Sequence, residues 1–339
     1  MASITNPEQL KSWLPVDAII DKGQPALTWM DFSDVVLAEP FFHETVARLS
    51  ATQKQSPLIT ELDTLLQLEK ISDSLQPNAF IFHSSRCGST LVANACRALA
   101  GSIVVSEAQV VDKLVTRFFT DAEPNSAKEL LYMVLIKAAI SAFGQRRLGN
   151  EKHFFVKFSC TSTLQMSHLR KIFPEVPFVF LYRDPVEVMV SNLRAVPQWM
   201  RREINPATAA AIVGVEPDQL NAIGPEEFCA RALGRFFAEA HSNRESNMSV
   251  INYNRLGSEL LLEFFGALGI APADREADAI LEVTRLYSKD KTRAQTFVGD
   301  SELKKTSASP LIIEMARRWA MPSYDRLNLP NKQKELIDG

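Results

Sequence analysis

The chain has 339 residues, 46% of them hydrophobic and 23% charged, with a formal net charge of −3. That length supplies one large or two ordinary domains with ample core. The charge balance argues against a general nucleic-acid binder, which would be basic.

The N-terminus, Met1 to Glu8, has neither a basic nor an apolar stretch and does not read as a secretory signal. Residues 1 to about 75 read as an extension before the first clear strand. They carry Trp13, Trp29, Phe32, Phe41 and Phe42, so they are expected to pack rather than dangle. A helix is expected over Asp63 to Ile71. From residue 76 to 339 the pattern is that of one α/β domain. Short apolar runs at 79–82, 102–105, 153–158, 177–182 and 249–253 alternate with helical stretches. This alternation predicts a central parallel sheet in a three-layer αβα arrangement. Leu130 to Phe143 is too short to span a bilayer, contains Lys137 and reads as a buried helix. Cys87, Cys96, Cys160 and Cys229 form no C-x-x-C pair and no cluster with His, which argues against a zinc or disulfide framework and fits a cytoplasmic protein.

The most informative stretch is Phe80-Ile81-Phe82-His83-Ser84-Ser85-Arg86-Cys87-Gly88-Ser89-Thr90-Leu91. An apolar strand ends in small polar residues around one Arg and one Gly. A helix follows with Leu91, Val92, Ala95, Ala98 and Leu99 on one face. Strand, tight loop and helix N-terminus is a geometry that binds phosphate, and Gly88 lets the backbone approach an anion closely. The NTPase pattern G-x-x-x-x-G-K-[ST] fails twice, at His83 and at Ser89. Cys87 reads either as a thiol activated by a helix N-terminus or as a small residue that fits the turn.

A second anchor follows the run Pro177 to Tyr182. Arg183 stands at the strand tip, Asp184 is the expected N-cap, Pro185 opens the helix and Glu187 is expected to close a capping box. Ser191 lies two turns on, about 10 Å along the helix. Arg and a hydroxyl converging on one spot suit a phosphate, whereas an Arg alone at a strand end suits an ion pair.

These features together resemble the PAPS-dependent sulfotransferases: the loop [RK]-x-G-[ST]-T-L, then Lys157, then Phe173-Pro174 and Arg183-Asp184-Pro185 through Ser191. Tyr253-Asn254-Arg255-Leu256 resembles the family's Y-E-D-L segment, with Asn254 and Arg255 in place of the acidic pair. Phe264 to Ile270 is similar to its F-L-G-[LI] helix end. The likeness covers roughly residues 78 to 310, and residues 1–75 have no counterpart in it. It implies the P-loop nucleoside-triphosphate-hydrolase-like fold of bacterial-type sulfotransferases, with PAPS as donor, adenosine 3′,5′-bisphosphate as product and no metal.

By this resemblance the loop from Cys87 through Gly88, Ser89, Thr90 and Leu91 holds the 5′-phosphate. Arg86 stands beside the bridging oxygen, and Arg183 and Ser191 take the 3′-phosphate. Glu107, after the strand 102–105, is the expected general base, as in tyrosylprotein and some carbohydrate sulfotransferases; His83 is its rival. Lys157 matches the Lys of the family's K-x-P segment, although Phe158-Ser159 follow it here, and is expected to touch the sulfonate. A late basic segment containing Arg293 and Lys304 is expected to close over the cofactor. His153 and His168 read as structural. The acceptor is a small molecule, a carbohydrate or a peptide, with no nucleic acid and no membrane span. Its pocket is expected from 108–150, 195–245 and the extension, and Trp199, Arg201 and Arg202 read either as an anion- or sugar-binding surface or as an ordinary amphipathic face. The alternative to an enzyme is a non-catalytic module that binds a nucleotide or a protein.

Overall fold

The computed structural model describes residues 7–52, 56–121, 126–244, 247–285 and 301–329. An antiparallel hairpin comes first, β1 (Trp13–Asp21) and β2 (Gln24–Asp31). Lys22 and Gly23 turn it with φ of 49° and 82°, the left-handed pair that matches strand twist in a two-residue hairpin. Then come α1 (Phe42–Thr52), β3 (Leu58–Glu61), which pairs antiparallel with β2, and α2 (Asp63–Ile71). From there strand and helix alternate: β4 (Ala79–His83), α3 (Ser89–Arg97), β5 (Ser102–Ser106), α4 (Gln109–Asp121), α5 (Ala127–Phe143), β6 (His153–Lys157), α6 (Met166–Ile172), β7 (Phe178–Tyr182) and α7 (Pro185–Arg194). After α8 (Pro206–Val213), α9 (Pro225–Ser242) and β8 (Met248–Asn252) come α10 (Ser258–Ala267), α11 (Asp274–Arg285), α12 (Ser301–Thr306), α13 (Pro310–Met315) and α14 (Met321–Asn328).

The expected α/β class is the observed one. Five strands form a parallel sheet in the order β5-β6-β4-β7-β8, flanked by helices. Every residue of β4 and β7 is buried, the burial that a sheet covered on both faces imposes. From β4 the chain winds to β5 on one side, and after β6 it crosses to β7 and β8 on the other. The direction of winding therefore reverses between β4 and β7. Outside the carboxyl ends of two such strands an α/β sheet opens a crevice for ligand.

By internal contacts the chain divides into two units: Met1–Phe80, Thr90–Phe158 and Ser258–Thr296 in the first, and Ile81–Ser89, Ser159–Gly257 and Phe297–Gly339 in the second. In the first, Phe32 stacks on Phe42 at 5.7 Å, and Phe42 meets Phe143 of α5 edge-on at 5.1 Å. Gln145 donates to the Trp13 carbonyl at 3.1 Å, and Arg147 to those of Phe32 and Val35. The expected buried helix is α5, with one correction: Leu130, Leu131 and Val134 in its first half are exposed, and burial begins at Leu135.

In the second unit α9 is the central helix. A Cβ at its Gly234 would come within 2.0 Å of the Trp319 carbonyl oxygen, so only glycine admits this backbone-to-backbone contact. The contact falls on a π-helical turn, Ala316–Ala320. Among the described residues no helix is long and apolar enough to cross a membrane.

Candidate active site

The loop after β4 departs from ordinary backbone geometry in a way that suits anion binding. Ser85, Arg86 and Gly88 all have positive φ, at 70°, 50° and 83°. Two of these are not glycine, and the left-handed region costs such residues about 1–2 kcal/mol each. A turn that mixes left- and right-handed residues brings successive backbone N–H groups into one concavity. The Ser84 N–H donates to the Leu181 carbonyl at 3.0 Å and the Cys87 thiol to the same oxygen at 3.1 Å, which ties the loop to β7. The Ser84 hydroxyl is buried with no hydrogen-bond partner among the described residues. Cys87, Ser89 and Thr90 are buried as well.

Gly88 is closely packed: a Cβ there would lie 2.6 Å from Leu256 Cδ2 and 3.1 Å from the Tyr253 ring. Cys87 fills the turn as a small buried side chain. His83 is also buried, and its Nδ1 accepts from the Ser85 N–H at 3.1 Å. This places the proton of a neutral imidazole on Nε2.

Arg86 is held by α7. Its Nε donates to Asn192 Oδ1 at 3.3 Å and its Nη2 to the Ala195 carbonyl at 2.9 Å. That carbonyl closes the C-terminal end of α7, where the helix dipole favours a cation. The Ser85 hydroxyl donates to the same Asn192 oxygen at 3.2 Å. Asn192, fully buried beside the half-buried Ser191, is thus the hub joining loop to helix.

Arg183 leaves β7 into a pocket of charge. Asp184 caps α7 as expected, accepting from the N–H groups of Val186 and Glu187. The expected capping box does not form. Glu187 turns instead to Arg183, whose Nε donates to its carboxylate at 2.5 Å. The two are 4% and 0% exposed. The reason is burial: a carboxylate with no access to water binds a guanidinium in preference to a backbone N–H. Arg183 also lies 4.1 Å over the Tyr253 ring, a cation–π contact. Lys305 of α12 adds a second cation, 3.5 Å from Glu187 and 3.7 Å from Asp184. Asp184, then burial in the opposite sense, then Glu187 act on its ammonium, and the net effect raises its pKa. Lys304, the expected contact, is half-buried on α12; Arg293 lies outside the described residues.

Glu107 and Lys157 belong to the first unit, and there the structure brings them together. Lys157 ends β6 and is 1% exposed; Glu107 follows β5 and is 27% exposed. The Lys157 ammonium donates to the Glu107 carboxylate, and the Glu107 N–H donates to the Lys157 carbonyl at 2.7 Å. Glu107 holds φ of 53°, a left-handed glutamate of the kind that concentrates at working sites. The Lys157 ammonium also lies 5.0 Å from the centre of the Phe41 ring.

Trp199 stacks on Phe228 at 6.1 Å, and Arg202 donates to the Leu220 and Ile223 carbonyls. These contacts all lie within the second unit. Burial is the main cause that lowers the pKa of His153, and burial pushes the Cys229 thiol up to about 12. Among the described residues no group of His, Cys, Asp and Glu is placed to hold a metal. Sequence reasoning passed over Asn192, Tyr253 as a partner of both Gly88 and Arg183, Glu187 as a counter-ion, and Phe41.

No protein-family model and no curated protein matches the sequence. Among solved structures, the chain is similar to the sulfotransferase domain of the Synechococcus PCC 7002 olefin synthase, with TM-score 0.42, 16% identity, and 74% of this chain and 96% of that one covered. It is similar to a sulfotransferase from Alicyclobacillus acidocaldarius, with TM-score 0.35, 17% identity, and 75% and 94% covered. A sulfotransferase domain from the curacin biosynthetic pathway gives TM-score 0.35, 16% identity, and 76% and 94% covered. All three TM-scores lie below 0.5.

Proposed function

We propose that the chain is a sulfotransferase that takes a sulfuryl group from PAPS and passes it to a hydroxyl, or less favourably an amine, of its acceptor. The observation that carries this reading is the loop at the reversal between β4 and β7. Three left-handed residues, one of them Arg86, and a buried serine hydroxyl with no partner among the described residues stand there, and Arg183 binds the same helix, α7, that holds Arg86. The donor set is cationic and rich in N–H and O–H groups, and it lacks the Lys of an NTPase loop, which suits a phosphosulfate better than a triphosphate.

In this reading the N–H groups of Cys87 to Thr90 and the hydroxyls of Ser89 and Thr90 receive the 5′-phosphate. Arg183 and Ser191 receive the 3′-phosphate. When bound, PAPS supplies a sulfuryl group on a phosphate leaving group. Arg86 stabilises the negative charge that grows there as the bond to sulfur breaks, which requires it to leave Ala195. Glu107 takes the proton of the accepting hydroxyl, and the Lys157 ammonium faces the charge of the sulfonate.

The test is calorimetric titration with adenosine 3′,5′-bisphosphate, AMP and ATP. Expected is binding of the bisphosphate at least tenfold tighter than of the other two, with the difference removed by Ser191→Ala together with the charge-neutral pair Arg183→Gln/Glu187→Gln. Equal affinity for all three nucleotides would overturn the reading. A module that binds a nucleotide without turnover would bind the bisphosphate and transfer nothing.

A further inference from the structure

Lys157 raises a physical problem that the sulfotransferase reading does not answer. An ammonium is a compact, strongly hydrated charge, and this one is 1% exposed. One carboxylate neutralises it. The Phe41 ring also lies against it, and that residue belongs to the N-terminal extension, the part of the chain outside the family resemblance.

The extension is fixed in place for this contact. Arg97, in the last turn of α3, donates to the Leu37 carbonyl at 3.2 Å, to the Pro40 carbonyl at 3.4 Å and to the Ser106 hydroxyl at 2.9 Å. Ser106 is the residue before Glu107. One guanidinium therefore ties residues 37–40 to the strand end that carries the carboxylate. On the other side Glu39 accepts from Thr45 at 2.6 Å and from Arg48 at 2.5 Å, which fastens the same segment to α1. Phe41 sits between these two struts. It is half-buried and stacked against the exposed His43 at 5.6 Å.

We propose that Phe41 is a positioning residue, and that the extension serves to place its ring over Lys157, excluding water from the ammonium and holding it on Glu107. The ring face carries the negative end of the aromatic quadrupole, so it attracts the cation where an aliphatic side chain of similar size only fills space. Glu107 then meets its acceptor with its counter-ion in one fixed place. The role in turnover rests on the sulfotransferase reading; the pairing of ring and ammonium does not.

The test separates charge from packing. Phe41→Leu, Lys157→Met and the double variant are compared with the parent by urea unfolding, and Phe41→Tyr is measured beside them. Phe41→Leu is expected to lower the unfolding midpoint clearly in the parent and by less than half as much in the Lys157→Met background, with Phe41→Tyr restoring the parent midpoint. Equal shifts in both backgrounds would mean that the ring is only packing, and the proposal falls. With an accepted substrate, Phe41→Leu is expected to lower kcat about tenfold and to leave KM for PAPS within twofold; an effect confined to KM would also overturn it. Bisphosphate titration of the same proteins reports on the sulfotransferase reading separately, because the unfolding cycle needs no ligand.

Discussion

Arg183→Ala is expected to lower the stability of the protein by about 3–5 kcal/mol, the usual cost of removing one partner of a buried ion pair. Glu187 is fully buried, so the truncation strands a carboxylate where water cannot reach it. Lys305, 3.5 Å away and exposed, recovers only part of the loss. The neutral pair Arg183→Gln/Glu187→Gln is expected to restore most of the stability, because it leaves no uncompensated charge. Urea unfolding of the two variants checks this. A loss below about 1 kcal/mol in Arg183→Ala, less than any buried pair should cost, would mean that Glu187 finds another partner. The result also bears on ligand binding: a binding defect in Arg183→Ala alone would confuse a lost contact with a damaged fold.

Glu107→Gln is expected to slow sulfuryl transfer by about 10²–10⁴-fold, the range spanned by a positioned general base. The amide keeps the shape and cannot take a proton. Bisphosphate affinity is expected to stay within twofold, so a single-turnover measurement at saturating PAPS isolates the step. The variant also leaves the Lys157 ammonium beside a neutral partner, and part of its effect will appear as lost stability. The double variant Glu107→Gln/Lys157→Met supplies the control: replacing both partners of a buried ion pair by well-packed neutral groups is often neutral in stability. A rate loss below tenfold in Glu107→Gln would remove Glu107 as the base and bring His83 forward.

The parts of the fold written in local pattern were legible. The five strands of the parallel sheet are continuous apolar runs between helices, and α2 runs over the expected Asp63–Ile71. The hairpin of the extension was not legible, and its burial explains why. β1 is buried in a block at Trp13–Val16 and open beyond it, so it lacks the alternation that marks a half-buried strand. Its register also slips between Pro15 and Asp17. At the site, Asp184 as N-cap could be read from its neighbours, whereas Glu187 could not. Its spacing fits both a capping box and an i,i+4 ion pair, and only burial decides between them. Phe41 and Lys157 are 116 positions apart in sequence, so no local rule connects them.

The left-handed backbone at Glu107 carries a consequence for how this chain would evolve. Glycine occupies that conformation without steric cost and asparagine at little cost, so either would stabilise the turn relative to glutamate. Once Lys157 is replaced by Met, so that no buried ammonium needs the carboxylate, a laboratory selection that rewards folding alone should drift toward Gly or Asn at this position. One that also demands turnover should hold the acid in place against that drift. The two regimes pull on the same codon in opposite directions, so which residue survives under each would record whether the turn exists for the fold or for its carboxylate.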